Sequence, residues 1–402
     1  MKKIFDILEF LFYFLFARSI RLLLREVDCS EQIKAAAISV YRDQPDVRRF
    51  GFWSEKNLPD VLSWVRYIWG GERFRLFMIG SLTKDIDRNT ATKESLERAC
   101  MQFREAVRIA VGMGADTILY AAATKRLPIW EELKKLYPGV TFTLGYNFTG
   151  LLLWERIRDA FKRFGLIPEF SKVLVIAPYG FLGNISFRSA ARLGAKVIGI
   201  GNPISSRKEA LERLKREFDL DICTSFESVG KVDMVIACNS APWCLLTPKR
   251  IELLRKPGRQ LLIIDPSEPT CMTPEMFRRV SDKVVRIDAG IGFSRELKHV
   301  LQPITPWLLR LTNFVTWGCF CETFLISTNP KLRKIDWFQI NEANMEVLRE
   351  FLGNGKGKFA LPEPTCFGKP VASLNLSGDK WEESKKYFEM QEILESSRTF
   401  ML

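Results

Sequence analysis

Two strand-like runs, KVLVI at 172–176 and KVIGI at 196–200, each four apolar residues after a lysine, flank the turn APYGFLGN and a helical stretch at 185–193. This arrangement constrains the chain more than any other part of it. A short, wholly apolar run bounded by turn residues suits a strand covered on both faces. Two such strands joined by a helix form a βαβ unit, in which the crossover makes the strands parallel. Further strand runs at 234–237 (MVIA), 261–264 (LLII) and 284–287 (VVRI) alternate with helical segments. The expectation is an α/β fold with a doubly wound parallel sheet.

The turn after the first strand has the character of a Rossmann-like dinucleotide fingerprint. Its glycines allow a tight turn, close approach of backbone to pyrophosphate and close packing of the following helix. Here the residues are Ala177, Pro178, Tyr179, Gly180, Phe181, Leu182 and Gly183, so two glycine positions survive and Ala177 fills the first. After the second strand come Gly201, Asn202, Pro203, Ile204, Ser205, Ser206 and Arg207. An acidic residue for the ribose hydroxyls of NAD is missing there and a base is present, which favours NADP and makes NADPH the expected cofactor. Asn239, Ser240 and Ala241 follow the 234–237 strand, and Ala289 and Gly290 follow the 284–287 strand. All are expected at the carboxyl edge of the sheet, facing the cofactor.

A length of 402 residues exceeds what one core ordinarily supports, so more than one domain is expected. Apolar residues from Leu96 to Ala110 recur at three- and four-residue steps, giving a helix over 95–113 that Gly114 ends. Strand runs at 116–123 and 140–144 lead into Gly145 and a helix over 149–164, and Gly165 to Phe170 reads as a junction. Helices are expected again at 314–326 and 341–352, and from Gly353 onward the composition suggests a loosely ordered tail. The expected organisation is a helix at 1–28, an N-terminal α/β substrate domain at 29–168, an NADP-binding domain at 169–300, C-terminal helices at 301–352, and the tail. The helix at 1–28 is basic and rich in Phe and Leu. Its eight-residue uncharged core is too short to span a bilayer and it lacks a signal-peptide cleavage pattern, so it either lies on a membrane surface or packs on a core.

Sixty Lys and Arg against 47 Asp and Glu give a net charge of +13, which suits an anionic partner. Nucleic acid is set aside because the basic residues are dispersed and no zinc-finger, RRM or basic-zipper pattern occurs. Nine cysteines are scattered without a CxxC pair, so no metal site is expected and a reducing cytoplasm is the natural setting. His299, the chain's one histidine, sits in the charged segment RELKHVL and reads as a surface residue.

The chain resembles the cyanobacterial-type long-chain acyl-carrier-protein reductases over about residues 52–352. The matching pieces are FWS (52–54), GADTILYAAAT (114–124), GYNFT (145–149), the GFLG turn, CNSAP (238–242), AGI (289–291), CFCE (319–322) and INEANMEVL (340–348). The resemblance implies NADPH-dependent reduction of a fatty acyl thioester, carried by an acyl carrier protein or coenzyme A, to a fatty aldehyde. It places Cys319 as the acylated nucleophile, with Glu322 one turn later. It sets Gly145, Tyr146, Asn147 and Thr149 at the substrate, and makes an acyl carrier protein and an anionic membrane surface candidate partners. Ala177, the DPSEPT segment at 265–270 and the AAATKRLP loop at 121–128 depart from the family pattern. Two other readings stay open. One is an NADP-dependent dehydrogenase of shikimate or semialdehyde type without an acyl-enzyme; the other is a non-catalytic Rossmann-fold binding protein.

Overall fold

The computed structural model of the chain describes residues 29–48, 58–87, 90–201, 205–218, 222–239, 241–300 and 304–371. Segment 1–28 and the FWS piece at 52–54 lie outside them. Residues up to Asn147 group with Phe293–Ala360 as one compact unit, and Phe148–Gly292 groups with residues from Leu361 onward as a second. The junction expected at 165–170 thus falls within the second unit, and residues 301–352 belong to the first.

In the first unit, strand β1 (Ala35–Tyr41) pairs in parallel on one side with β3 (Glu72–Leu82) and on the other with β4 (Thr117–Tyr120), which pairs with β5 (Thr141–Thr143). Strand β2 (Val61–Trp69) runs antiparallel to β3. Their two-residue loop is Gly70–Gly71, both at positive φ, as a hairpin turn matching strand twist requires. A short strand, Lys298–His299, joins the far edge of β2 and sets His299 opposite Tyr67. Helix Lys93–Gly112 begins where Thr92 and Ser95 exchange hydrogen bonds between hydroxyl and backbone N–H, a reciprocal cap that satisfies two otherwise orphaned donors. Its stripe of Ala99, Phe103, Ala106, Val107 and Ala110 buries against Ile38, Phe77 and Ile118 of the sheet.

Helix Gly318–Thr328 is also buried in this unit, with the Phe324 ring 4.2 Å from Phe74. The chain beyond Gly353, expected to be loosely ordered, is built into the fold as far as Val371. Phe359 stacks on Trp69 at 4.9 Å, the Gly357 N–H donates to Glu296, and Ala360 bridges Phe293. These long-range contacts supply order that composition does not reveal. Residues 372–402 lie outside the described chain.

The second unit is the doubly wound sheet. Its six strands, β6 (Lys172–Ile176), β7 (Lys196–Ile200), β8 (Ile222–Cys223), β9 (Met234–Ala237), β10 (Leu261–Asp265) and β11 (Val284–Asp288), are all parallel, in the order β11-β10-β9-β6-β7-β8. Counted from β6 this is the 3-2-1-4-5-6 order of a Rossmann fold, with its switch point between β6 and β9. Alternate residues feed two cores: Leu174, Ile198, Val235 and Ile263 on one face, and Val173, Val175, Val197, Ile236 and Ile264 on the other. Helix Tyr146–Arg163 covers the second face with Leu153, Ile157 and Phe161.

The strand ends are fastened by charge. Asp265 and Arg286, both without solvent exposure, pair at 2.9 Å, and Asp265 also accepts the N–H groups of Ser267 and Cys271. Arg286 reaches on to Asp288, which accepts from the Thr365 hydroxyl and the N–H groups of Phe367 and Gly368. The hairpin Thr365–Cys366/Lys369–Pro370 is thereby tied to β11. Replacing Asp265 with Ala strips a buried guanidinium of one partner and orphans two backbone donors, so urea denaturation should register a loss of about 3 kcal/mol or more. The double change Asp265→Leu/Arg286→Met should recover a substantial part of it.

Candidate functional site

The nucleotide side of the site is built on the exit of β6. Ala177 donates its N–H to the Ile200 carbonyl at 2.9 Å and takes φ +58°, the left-handed conformation that a glycine adopts freely. The alanine therefore holds the turn expected of the first fingerprint glycine, at a backbone cost of about 1–2 kcal/mol. Gly183 is required by contact: a Cβ there would lie 2.1 Å from the Ala177 carbonyl oxygen. A Cβ at Gly180 would meet that oxygen only at 3.5 Å, so the turn itself does not demand glycine there. Gly180 caps helix Phe181–Arg192 without a side-chain bond, which leaves the helix start as a site where backbone N–H groups and the macrodipole favour an anion. The helix opens four residues before the expected Ile185, carrying Leu182 and Gly183 in its first turn.

The parallel strands bring further expected residues to the same carboxyl edge. Asn239 follows β9 and folds its Oδ1 onto the Ala241 N–H at 2.9 Å. Gly290 follows β11 at φ +69°, where a Cβ would press on Thr149 Cγ2 at 3.1 Å. Tyr179 packs partly buried on the core of one face. Ser205, Ser206 and Arg207 open helix Ser205–Phe218, whereas Asn202 and Ser240 lie outside the described residues. This edge, with a bare helix start and a glycine turn, fits a nucleotide phosphate.

The thiol side lies in the first unit. Cys319 is the second residue of helix Gly318–Thr328, whose cap residue Trp317 makes no side-chain cap bond, and its sulfur meets the N–H groups of Cys319 and Phe320. It sits hard against Gly145 at φ +68°, where an added Cβ would overlap Cys319 Cβ at 2.2 Å. Thr143, at the end of β5, accepts the Gly145 N–H at 2.9 Å and donates to Glu322 Oε1 at 2.5 Å. Glu322 is wholly buried. Lys125 rests 3.4 Å from the centroid of the Tyr146 ring.

These groups act on the thiol in opposite directions. Burial pushes Cys319 above the usual thiol range, Lys125 and the two backbone N–H groups pull it down, Glu322 pushes it up, and burial prevails. Cys319 therefore rests protonated at neutral pH, and its attack on an electrophile requires a proton acceptor. Glu322 lies three residues on, on the same helix face. Cys321 is buried in the core of the same helix. Asn147 is buried as well, its amide donating to the Gln339 carbonyl and accepting the Asn341 N–H, so it ties down the INEANMEVL segment. Gly145, Tyr146 and Asn147 thus belong to the first unit and Thr149 to the second.

His299 is not the surface residue expected from its charged neighbours. Strand alternation exposes Lys298 and turns His299 inward. Its Nε2 lies 3.1 Å from the Val315 carbonyl, its ring centroid is 5.0 Å from that of Tyr67, and burial lowers its pKa to about 4. A carbonyl only accepts, so Nε2 carries the proton and Nδ1 is a bare lone pair. Sequence reasoning did not single out Lys125, Tyr67, Thr143 or Thr316. Thr143 carried a signal, standing at the end of a strand two residues before Gly145; Lys125 and Tyr67 reach the site only through tertiary packing.

No protein family profile matches the sequence, and no curated protein matches it. Solved structures with partial likeness include acetophenone reductase from Geotrichum candidum in complex with NAD. That pair is 17% identical over 35% of this chain and 38% of the other, with a TM-score of 0.26. A dipicolinate synthase component from Bacillus halodurans is 12% identical over 65% of this chain and 91% of that one, with a TM-score of 0.31. The iminosuccinate reductase of Paracoccus denitrificans in complex with NAD+ is 23% identical over 29% and 35%, with a TM-score of 0.23. The chain thus spans less than two fifths of the first and third. The fold assignment rests on strand order within the second unit.

A neutral buried His299 makes stability acid-sensitive in a defined window. Its folded pKa of about 4 lies below the ordinary 6.5, so protons bind the unfolded chain first and stability falls as pH drops from 6.5 toward 4. The contribution of this residue is about 3 kcal/mol across that window. Denaturant titrations at pH 7 and pH 4.5 should show a smaller acid loss in His299→Leu than in wild type; equal losses would assign the acid sensitivity to other groups.

Proposed function

We propose that the protein reduces a long-chain fatty acyl thioester to a fatty aldehyde through an acyl-enzyme on Cys319, with NADPH bound at the Ala177–Gly183 turn. The observation that carries this reading is the convergence of Lys125, Glu322 and the start of helix Gly318–Thr328 on a single cysteine seated against Gly145. That set suits acyl transfer. Glu322 takes the thiol proton as sulfur bonds to the acyl carbon, Lys125 and the helix N–H groups hold the anionic sulfur, and the departing carrier thiolate receives the proton.

In the second unit, Gly180, Phe181, Leu182 and Gly183 at the helix start would hold the pyrophosphate, with Asn239, Ala241 and Gly290 lining the same edge. A bound nicotinamide would supply hydride chemistry, the two-electron reductant that release of an acyl group from a cysteine as aldehyde requires. The oxidoreductases among the partially similar structures, two of them complexed with NAD or NAD+, are compatible with this reading and with NAD as the alternative cofactor. The net charge of +13 suits an acidic acyl carrier protein and an anionic lipid surface as partners.

A second reading, a dehydrogenase transferring hydride directly without an acyl-enzyme, draws support from the raised Cys319 thiol. Intact-protein mass spectrometry separates the two. Wild type mixed with palmitoyl thioester without NADPH should gain one acyl group, discharged as aldehyde on adding NADPH, and Cys319→Ser should gain none. Glu322→Gln, of equal size, should slow acylation about 100-fold or more. Reduction that persists in Cys319→Ser would establish direct hydride transfer instead.

A further inference from the structure

Within the first unit, two buried hydroxyls, Tyr67 Oη and Thr316 Oγ1, approach each other and neither has a further hydrogen-bond partner. Neither is solvated, since Tyr67 is 1% exposed and Thr316 is 0% exposed. Both are held by the frame that holds the cysteine. Thr316 stands three residues before Cys319, in the strand Val315–Trp317 that leads directly into its helix. Tyr67 packs its ring against Phe320 and Phe324 of that helix, at 5.5 and 5.8 Å between centroids, and against His299 on the other side. The Tyr67 hydroxyl is directed toward Thr316 and lies within electrostatic range of the Cys319 sulfur.

A buried hydroxyl gives up its bonds to water and ordinarily recovers them from the protein. Two that have only each other can turn a donor toward an acceptor that enters beside them. The third unpartnered atom nearby, His299 Nδ1, is an acceptor and cannot hold an oxygen carrying negative charge. Its ring instead backs Tyr67 from the β2 edge and fixes where the phenol points.

We infer that Tyr67 and Thr316 form an oxyanion cradle, their hydroxyls donating to the carbonyl oxygen of the acyl group that Cys319 attacks. This rests on the acyl-enzyme reading and adds to it the groups that take the charge. As the bond from sulfur to the acyl carbon forms, the carbonyl electron pair moves onto oxygen, and the two hydroxyls hold it there. The pair then returns to re-form the carbonyl as the bond to the carrier sulfur breaks. When hydride adds to the acyl-enzyme, the same oxygen becomes anionic again, and its pair re-forms the aldehyde carbonyl while the bond to Cys319 breaks. Both hydroxyls keep their protons throughout.

The test compares two reactions of one sulfur in wild type, Tyr67→Phe, Thr316→Val and Thr316→Ser. Acylation by palmitoyl-coenzyme A without nicotinamide cofactor develops an oxyanion; alkylation of Cys319 by iodoacetamide does not. Mass spectrometry follows both, and thermal unfolding checks that each variant folds. Tyr67→Phe should slow acylation about 100-fold, Thr316→Val should slow it at least tenfold, and Thr316→Ser should retain most of the rate. Alkylation should change less than twofold in all three. Acylation that is unaltered in both hydroxyl-deleted variants overturns the cradle and leaves the acyl-enzyme standing. Acylation and alkylation falling together assigns the two residues a structural role and also overturns it. A wild-type protein that is alkylated at Cys319 but never acylated removes the acyl-enzyme and the cradle with it.

Discussion

The close approach of Gly145 to Cys319 is the contact on which the first unit's chemistry depends. With 2.2 Å between Cys319 Cβ and the place a Gly145 Cβ would occupy, no side chain is admissible at residue 145 without moving helix Gly318–Thr328 or the end of β5. That single absence of an atom lets the helix set its first turn against the strand. Thr143 is thereby brought onto Glu322, and the Lys125 charge falls within reach of the sulfur. The positive φ at Gly145 turns the chain at the same point into helix Tyr146–Arg163. Steric necessity and backbone conformation are thus discharged by the same glycine.

Buried polarity is arranged in two distinct clusters. In the second unit, each buried charge meets its opposite: Asp265, Arg286 and Asp288 form a connected set whose oxygens also take nearby N–H groups. Such a set fixes geometry and offers nothing to a ligand. In the first unit, around Cys319, the bonding is left incomplete, with unpartnered hydroxyls, a bare imidazole nitrogen and a thiol held protonated by burial. Unpartnered buried polar atoms also occur elsewhere in both units, at Tyr41, Tyr120, Arg156 and Ser189, so it is the position beside a thiol that distinguishes these.

The sequence disclosed the second unit far better than the first. Strands covered on both faces are apolar through their interior, so VLVI, VIGI, MVIA and LLII stand out as uninterrupted runs, and their spacing carries the topology with them. Strands β1 to β3 have no such signature. AAAISVY at β1 is dominated by small residues, and β3 places Arg75 in the interior, where its guanidinium donates to the Ser63 carbonyl; a charged residue in a strand ordinarily reads as solvent-facing. His299 misled for the same reason, since the charges around it belong to the exposed face of a two-residue strand. Around the cysteine, Gly145 and Glu322 were accessible as parts of motifs. Thr316 is a chain neighbour of the cysteine but stands outside any motif, and Tyr67 and Lys125 reach it through packing between segments far apart in the chain, which no local pattern encodes.

The chain's passage between its units has a consequence for how the protein is made. Phe148–Gly292 interrupts the first unit, whose remaining part, Phe293–Ala360, provides both the edge strand beside β2 and the cysteine helix. Trp69 finds its hydrogen-bond partner in Ser294, 225 residues later. During synthesis, β1 to β5 emerge early with one sheet face bare, and they wait while the parallel sheet is translated before Phe324 and Phe359 arrive to cover Phe74 and Trp69. Until then the half-finished sheet keeps apolar surface in water, the kind of exposure that slows folding and favours association between incomplete chains.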